Sequence, residues 1–142
     1  MDFIQNKKYS YHKALLEWCQ NDPRFLAELY IHKSRGKHVN QRKKFKLNNK
    51  EIKFITQYGL IKIREDISNY INIIIKNPNN KEKFDLQTNH PINVAKIATG
   101  LCCRICLNEC YNIKEWIILT EEQVDNYSML MMKWIHQEFN PQ

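Results

Sequence analysis

The stretch LIKIREDISNYINIIIK, residues 60–76, is the clearest indicator of the fold class of this chain. Its apolar residues recur at the three- and four-residue spacing that marks one face of an α-helix. Polar and charged residues fill most positions between them. The pattern therefore predicts an amphipathic helix whose apolar face packs on a core. The residues of that face are Leu60, Ile63, Ile67, Tyr70, Ile71 and Ile74.

Cap signals predict further helices on both sides of this stretch. Two short helices are expected before residue 34: one from Ser10 to about Gln20, and one that starts at Asp22-Pro23 and ends near Lys33.

Two pairs of residues have the spacing of a capping box. Asn48 with Glu51 begins a short helix that Gly59 closes, and Thr120 with Gln123 begins the last helix. The apolar face predicted for this last helix consists of Val124, Tyr127, Met131, Trp134 and Ile135.

The region between these helices is less regular. Pro91 can open a helix that Gly100 can split, and residues 116–119 form either a short strand or a buried connector. Methionines 129, 131 and 132 are interpreted as core residues; if Met129 and Leu130 were exposed, they would instead form a partner groove or dimer face.

These signals predict a mostly α protein: a single compact domain of about six helices with a basic loop and a Cys/His cluster. Only 3 of the 142 residues are glycine and 4 are proline, which disfavours a β-sandwich or barrel. We expect residues 1–8 to be a flexible N-terminus, residues 9–142 to be the domain, and residues 34–47 to be the basic loop.

Nothing in the sequence predicts export or membrane insertion. Residues 1–8 lack the apolar core of a signal peptide, and no apolar stretch approaches the length of a bilayer span. We therefore expect a cytoplasmic protein, in which the five cysteines are reduced thiols, metal ligands or catalytic groups rather than disulfides.

The net charge of +7 is concentrated in one segment. Residues 35–53, which we call the basic segment, contain eight lysines and arginines and a single acid, Glu51. The remaining 14 basic and 14 acidic residues cancel. Such a segment beside a neutral body predicts contact with a polyanion. The predicted contact residues are Arg35, Lys37, His38, Arg42, Lys43, Lys44, Lys46, Lys50 and Lys53.

Nucleic acid or a ribonucleoprotein is the expected partner of the basic segment. An acidic protein surface and a merely solvated loop remain alternatives. No helix-turn-helix, zinc-finger or RNA-recognition signature accompanies the segment, so sequence-specific readout is not predicted.

Four cysteines crowd residues 102–110, and their density raises a metal or redox hypothesis. Zinc prefers four tetrahedral thiolate or imidazole ligands, so zinc is the candidate cofactor. Small buried hydrophobic thiols and a catalytic or redox thiolate are the alternatives. On a single helix, the cysteines at 102, 106 and 110 would share one face. The candidate metal ligands are His90, Cys102, Cys103, Cys106 and Cys110.

Three polar residues near the cysteines have structural interpretations. His90, directly before Pro91, favours packing or capping at a helix start over metal binding. Arg104 predicts a hydrogen-bond fork to a carboxylate or to backbone carbonyls, with phosphate binding as the alternative. Thr99 is expected to bond backwards along its helix.

From about residue 45 to residue 135 the chain resembles the bacterial and phage family known as domain of unknown function 4186. His90-Pro91, then Ala98-Thr99, then Cys102-Cys103-Arg104 with Cys106-Leu107, is similar to the signature of that family. The closing landmarks are Leu119-Thr120-Glu121-Glu122-Gln123 and Trp134-Ile135. The resemblance implies a fold and a site but no known activity.

Two departures from the family pattern bear on the site. The family usually has Trp-His where this chain has Cys110-Tyr111, and a second histidine where it has Ile97. If those histidines bind metal or move protons in the family, this protein does so differently or not at all.

Three functions remain open. The first is a small basic nucleic-acid-binding or ribonucleoprotein-associated protein of phage or mobile-element origin, with a structural Cys/His centre. The second is a protein-interaction module, such as an inhibitor or accessory subunit. The third, least favoured, is a thiol-dependent enzyme using His90, Arg104 and a cysteine. No catalytic residue is assigned, and the oligomeric state is left open.

Overall fold

The computed structural model describes residues 45–79 and 83–139, and these residues form five α-helices and a π-helix without any strand. The mostly α prediction is confirmed. The helices predicted before residue 34 lie outside the described residues. None of the described helices is long and apolar enough to cross a membrane. The helices are α1 (Asn49–Tyr58), α2 (Leu60–Tyr70), the π-helix (Ile71–Ile75), α3 (Ile92–Ala98), α4 (Arg104–Tyr111) and α5 (Glu121–Phe139).

Both predicted capping boxes are present. Asn48 Oδ1 accepts from the Glu51 amide at 2.9 Å, and Glu51 Oε1 accepts from the Asn48 amide at 2.9 Å. Thr120 and Gln123 make the same reciprocal pair before α5. Between α1 and α2 the chain turns at Gly59, whose φ of 86° favours glycine.

The core lies where α2 and the π-helix pack against α5. The predicted face of α2 supplies Ile63, Ile67 and Tyr70 to this core, and α3 adds Ile92 and Ala95. The methionines at 129, 131 and 132 are also buried, so their interpretation as core residues is confirmed.

Gly100 interrupts the helix opened by Pro91 before the cysteine cluster, as the sequence suggested. The Gly100 amide donates to Ile97 O at 3.2 Å and the Leu101 amide donates to Lys96 O at 2.8 Å, which is a Schellman motif with Gly100 at φ 76°. The chain then runs irregularly until α4 begins. Cys102 therefore precedes the helix that carries residues 106 and 110, and the expected shared helical face does not form.

Residues 116–119 were predicted to form a short strand or a buried connector, and both predictions are wrong for residues 116–118. Trp116, Ile117 and Ile118 are exposed by 74%, 41% and 55%, and they belong to no strand. Only Leu119 is buried, and its amide donates to Lys76 O at 2.9 Å. We call residues 116–118 the exposed connector. The hydrogen bond between Leu119 and Lys76 holds its C-terminal end against the rest of the fold.

Candidate metal centre and basic surface

The sulfur atoms of Cys102, Cys103 and Cys106 all lie within 4.8 Å of one another. We call these three residues the thiol cluster. Thiolates bound to a tetrahedral zinc ion at about 2.3 Å are about 3.8 Å apart, so small movements would bring the three sulfurs onto one ion. Cys106 is buried and the other two are half-buried. The three sulfurs are therefore close enough to hold a metal ion, at a site that is only partly buried.

The start of α4 orients the thiol cluster. Cys103 is the N-cap residue of α4, with an extended backbone (φ −163°, ψ 171°), and Cys106 follows in the first turn. The Tyr70 hydroxyl donates to Leu101 O at 2.7 Å and lies 3.4 Å from Cys102 O. Tyr70 thereby ties the irregular loop to the end of α2.

Arg104 fastens the same loop to two other parts of the fold. Its Nη1 donates to Ile75 O at 2.9 Å, at the end of the π-helix. Its Nη2 donates to Lys114 O at 2.7 Å and to Ile117 O at 2.6 Å. The predicted fork to backbone carbonyls is confirmed. Because both terminal nitrogens bind the protein itself, the guanidinium is a structural clamp rather than an open phosphate site.

Hydrogen bonds within the thiol cluster separate the acidities of its members. The hydrogen bond from the Cys102 thiol, together with the backbone amides of Cys106 and Ile105, holds the pKa of Cys103 well below its usual range. The same bond to Cys103, together with burial, raises the pKa of Cys102. Cys103 is therefore the member of the cluster that carries a thiolate, the form that binds metals and attacks electrophiles.

The structure brings three of the five predicted metal ligands together. Within residues 45–79 and 83–139, His90 and Cys110 do not join the group of metal-capable side chains at the thiol cluster. Cys110 is buried on α4, beyond the turn that carries Cys106.

Both ring nitrogens of His90 are already engaged. His90 Nε2 lies 2.8 Å from Asp66 Oδ2, and Nδ1 accepts from the Ile92 amide at 3.1 Å, at the start of α3. The ring is only 1% exposed and packs against Phe54 with 4.7 Å between ring centroids. The packing and capping interpretation of His90 is therefore confirmed.

These bonds also fix the protonation of His90. Since Nδ1 accepts a backbone amide proton, the ring proton sits on Nε2 and is donated to Asp66. Burial lowers the pKa of His90, although the hydrogen bond to Asp66 opposes this effect. Lys62 Nζ binds the other carboxylate oxygen at 2.9 Å. We call Lys62, Asp66 and His90 the histidine centre.

The C-terminal part of the basic segment is exposed. Lys46 precedes α1, while Lys50 and Lys53 lie one turn apart on it. Within the part of the chain that the structure describes, no ion pair involves any of these three lysines. The predicted contact residues that lie outside the described part are Arg35, Lys37, His38, Arg42, Lys43 and Lys44.

Glu51, the only acid of the basic segment, is not exposed as the lysines are. Its side chain is buried and is used by the capping box with Asn48. Burial raises the pKa of Glu51, while the hydrogen bond from the Asn48 amide lowers it. In the part of the segment that the structure describes, Glu51 makes no ion pair with Lys46, Lys50 or Lys53.

Two partners in these centres had no distinct signal in the sequence. Asp66 lies on the polar face of α2, where acids are common, and only the fold places it beside His90. Tyr70 was assigned to the core. Since a buried phenol hydroxyl needs a hydrogen-bond partner, the sequence indicated that Tyr70 makes such a bond, but not with which residue.

Comparison with known proteins assigns the chain to a family but gives it no activity. No solved structure matches it significantly. A family model matches residues 32–136, well over half of the chain, and the match includes the thiol cluster, the histidine centre and the basic segment. The matched region thus begins earlier than the resemblance noted from residue 45 onwards. The chain belongs to the family described as Domain of unknown function (DUF4186).

Proposed function

We propose that this protein binds nucleic acid through its basic segment, residues 35–53. The observation that carries the proposal is the uncancelled charge at the start of α1. Lys50 and Lys53 are exposed there, while Glu51 between them is buried in a capping box. Lysines that can approach phosphates release condensed counterions, which supplies most of the affinity of non-specific nucleic-acid binding.

The proposal includes a structural zinc ion on the thiol cluster. Three thiolates at the start of α4 would join the irregular loop to the helix, and binding to the folded state alone would add to the stability of the fold. The chain's own contribution is the geometry: one buried and two half-buried sulfurs, with the pKa of Cys103 lowered by the hydrogen bond from Cys102 and by the backbone amides of Cys106 and Ile105.

The direct test is a titration of labelled DNA and RNA at low and moderate salt. The wild type should bind both, with an affinity that falls steeply as salt rises. The charge-reversal triples K46E/K50E/K53E and R42E/K43E/K44E should each lose most of that affinity.

The matched control is K83E/K96E/K114E, which changes the net charge by the same amount outside the basic segment. It should reduce affinity far less, because its lysines lie elsewhere in the fold. Negligible binding by the wild type at low salt would refute the proposal, as would equal losses in all three triples.

A second candidate function is docking on a protein partner, and the exposed connector favours it. Trp116 is 74% exposed, beside two exposed isoleucines. Exposed aromatic residues of this kind are typical anchors of protein interfaces. A host protein that stays bound in high salt and after nuclease treatment, and is lost with W116S, would support this function over the first.

A further inference from the structure

Two adjoining hollows lie where the end of α1 meets α2 and the linker before α3. Both hollows are open to solvent; the inner one has a volume of about 170 Å³ and the outer one a volume of about 270 Å³. Both are lined by Tyr58 and Gln87, so they share a wall. We call the inner hollow the Tyr58 pocket; its other lining residues include Lys62, Phe84, Leu86 and His90.

The aromatic walls of the Tyr58 pocket are held in place by other rings. Tyr58 packs on Phe54 at 4.4 Å between centroids, and Phe54 packs in turn on His90. Phe84 meets Tyr70 edge to face at 6.0 Å. Tyr58 and Phe84 are each half-buried, so part of each ring remains open to the hollow. The pocket therefore offers pre-positioned aromatic surface at little further cost in side-chain entropy.

The charges around the two hollows are arranged asymmetrically. Lys50 and Lys53 line the outer hollow, which has no acidic side chain in its wall. Asp66 and Asp85 line the inner hollow, but Asp66 is already bound by Lys62 and His90. The outer hollow therefore favours phosphate oxygens, and the inner hollow favours a planar group with polar edges.

Aromatic rings next to a row of cations are the common means of binding single-stranded nucleic acids, since every base has a face that can stack. In a duplex the bases are stacked on one another and cannot enter a side pocket without being unpaired. The lysines and the aromatic ring both lie along α1, so together they would discriminate between single and double strands, which the charge of the basic segment alone would not.

We propose that the Tyr58 pocket receives one unstacked base of a single-stranded nucleic acid whose phosphates lie on Lys50 and Lys53. This inference rests on the proposed function and narrows its substrate class to single strands. Stacking on Tyr58 reads a base face rather than a hydrogen-bonding edge, so the pocket tolerates different sequences.

The test compares a mixed-sequence single-stranded oligonucleotide with a hairpin duplex of the same composition. The probe carries 2-aminopurine at one central position, so that base stacking is followed by fluorescence and affinity by anisotropy. The wild type should prefer the single strand by roughly tenfold and change the 2-aminopurine signal on binding.

The informative variant is Y58L, which keeps apolar packing against Phe54 but removes the aromatic face. It should lose roughly tenfold in affinity for the single strand and lose the 2-aminopurine change, while the slope of affinity against salt stays the same. The control Y58F keeps the ring and should behave like the wild type. The variant K50E/K53E should lower the salt slope instead.

The possible failures are distinguishable. If the wild type binds nucleic acid but Y58L binds the single strand equally well with the same fluorescence change, the pocket inference is overturned and the proposed function stands. A preference for the duplex also overturns the inference. If the wild type binds neither probe, both proposals fall together.

Discussion

The thiol cluster and the histidine centre differ in whether their ligand atoms are available. The sequence predicted one metal site with His90 and the cysteines as joint ligands, whereas the structure contains two separate centres. His90 is 1% exposed with both ring nitrogens bonded, while two of the three clustered sulfurs are half-buried. Residue type therefore suggests a metal ligand, but the hydrogen bonds that the side chain already makes determine whether it can serve as one.

The largest expected effect of this difference is on metal content. Zinc in the purified protein should fall from about one equivalent to less than about a tenth in C103S or C106S, because two thiolates hold an ion far less well than three. H90Q should retain the metal. Elemental analysis with native mass spectrometry measures both. Loss of zinc in H90Q, with a normal circular dichroism spectrum, would contradict the conclusion that His90 does not belong to the metal site.

The second effect is on thiol reactivity in the metal-free protein. A low pKa keeps Cys103 ionised, so its rate of iodoacetamide labelling should stay nearly constant from about pH 5.5 to about pH 7.5, whereas an ordinary thiol speeds up about 100-fold. Peptide-resolved mass spectrometry of a pulse-labelled sample reads each cysteine separately. A Cys103 profile that rises in parallel with that of Cys102 would contradict the assignment.

The third effect concerns the clamp that supports the thiol cluster. R104K keeps the charge but cannot reach three carbonyls as a planar fork, so the free energy of unfolding should fall by about 1–3 kcal/mol. Urea denaturation measures this loss. A change below about 0.5 kcal/mol would mean that water replaces the guanidinium without cost.

The smallest effect is the pH dependence of the histidine centre. Since burial lowers the pKa of His90, the unfolded chain binds more protons than the folded one just below the ordinary histidine pKa of 6.5. Stability should therefore be complete above that value and decline as pH falls, by up to about 1.4 kcal/mol per pH unit for each histidine.

Burial also lowers the pKa of His136, which acts with the same sign. Urea denaturation at several pH values should therefore show a shallower slope in both H90Q and H136Q. An unchanged slope in H90Q would show that His90 is protonated with equal ease in both states.

The local features of the fold were predictable because their signals lie within a few residues. Asn48 with Glu51 and Thr120 with Gln123 form capping boxes over three residues, and Gly100 ends α3 as expected. The exposed Trp116 was not foreseen, since a Trp-Ile-Ile run normally indicates burial. Nothing near it in the sequence marks the connector as lying outside the core.

The helical class, the caps, the density of thiols and the concentration of charge could all be predicted, because each depends on residue type and short-range spacing. Which polar groups remain available depends instead on long-range contacts. The bond from His90 to Asp66 joins residues 24 apart, that from Arg104 to Ile75 joins residues 29 apart, and that from Tyr70 to Leu101 joins residues 31 apart. Contacts over such separations arise from the tertiary packing of segments that are distant in the sequence, which no local pattern encodes.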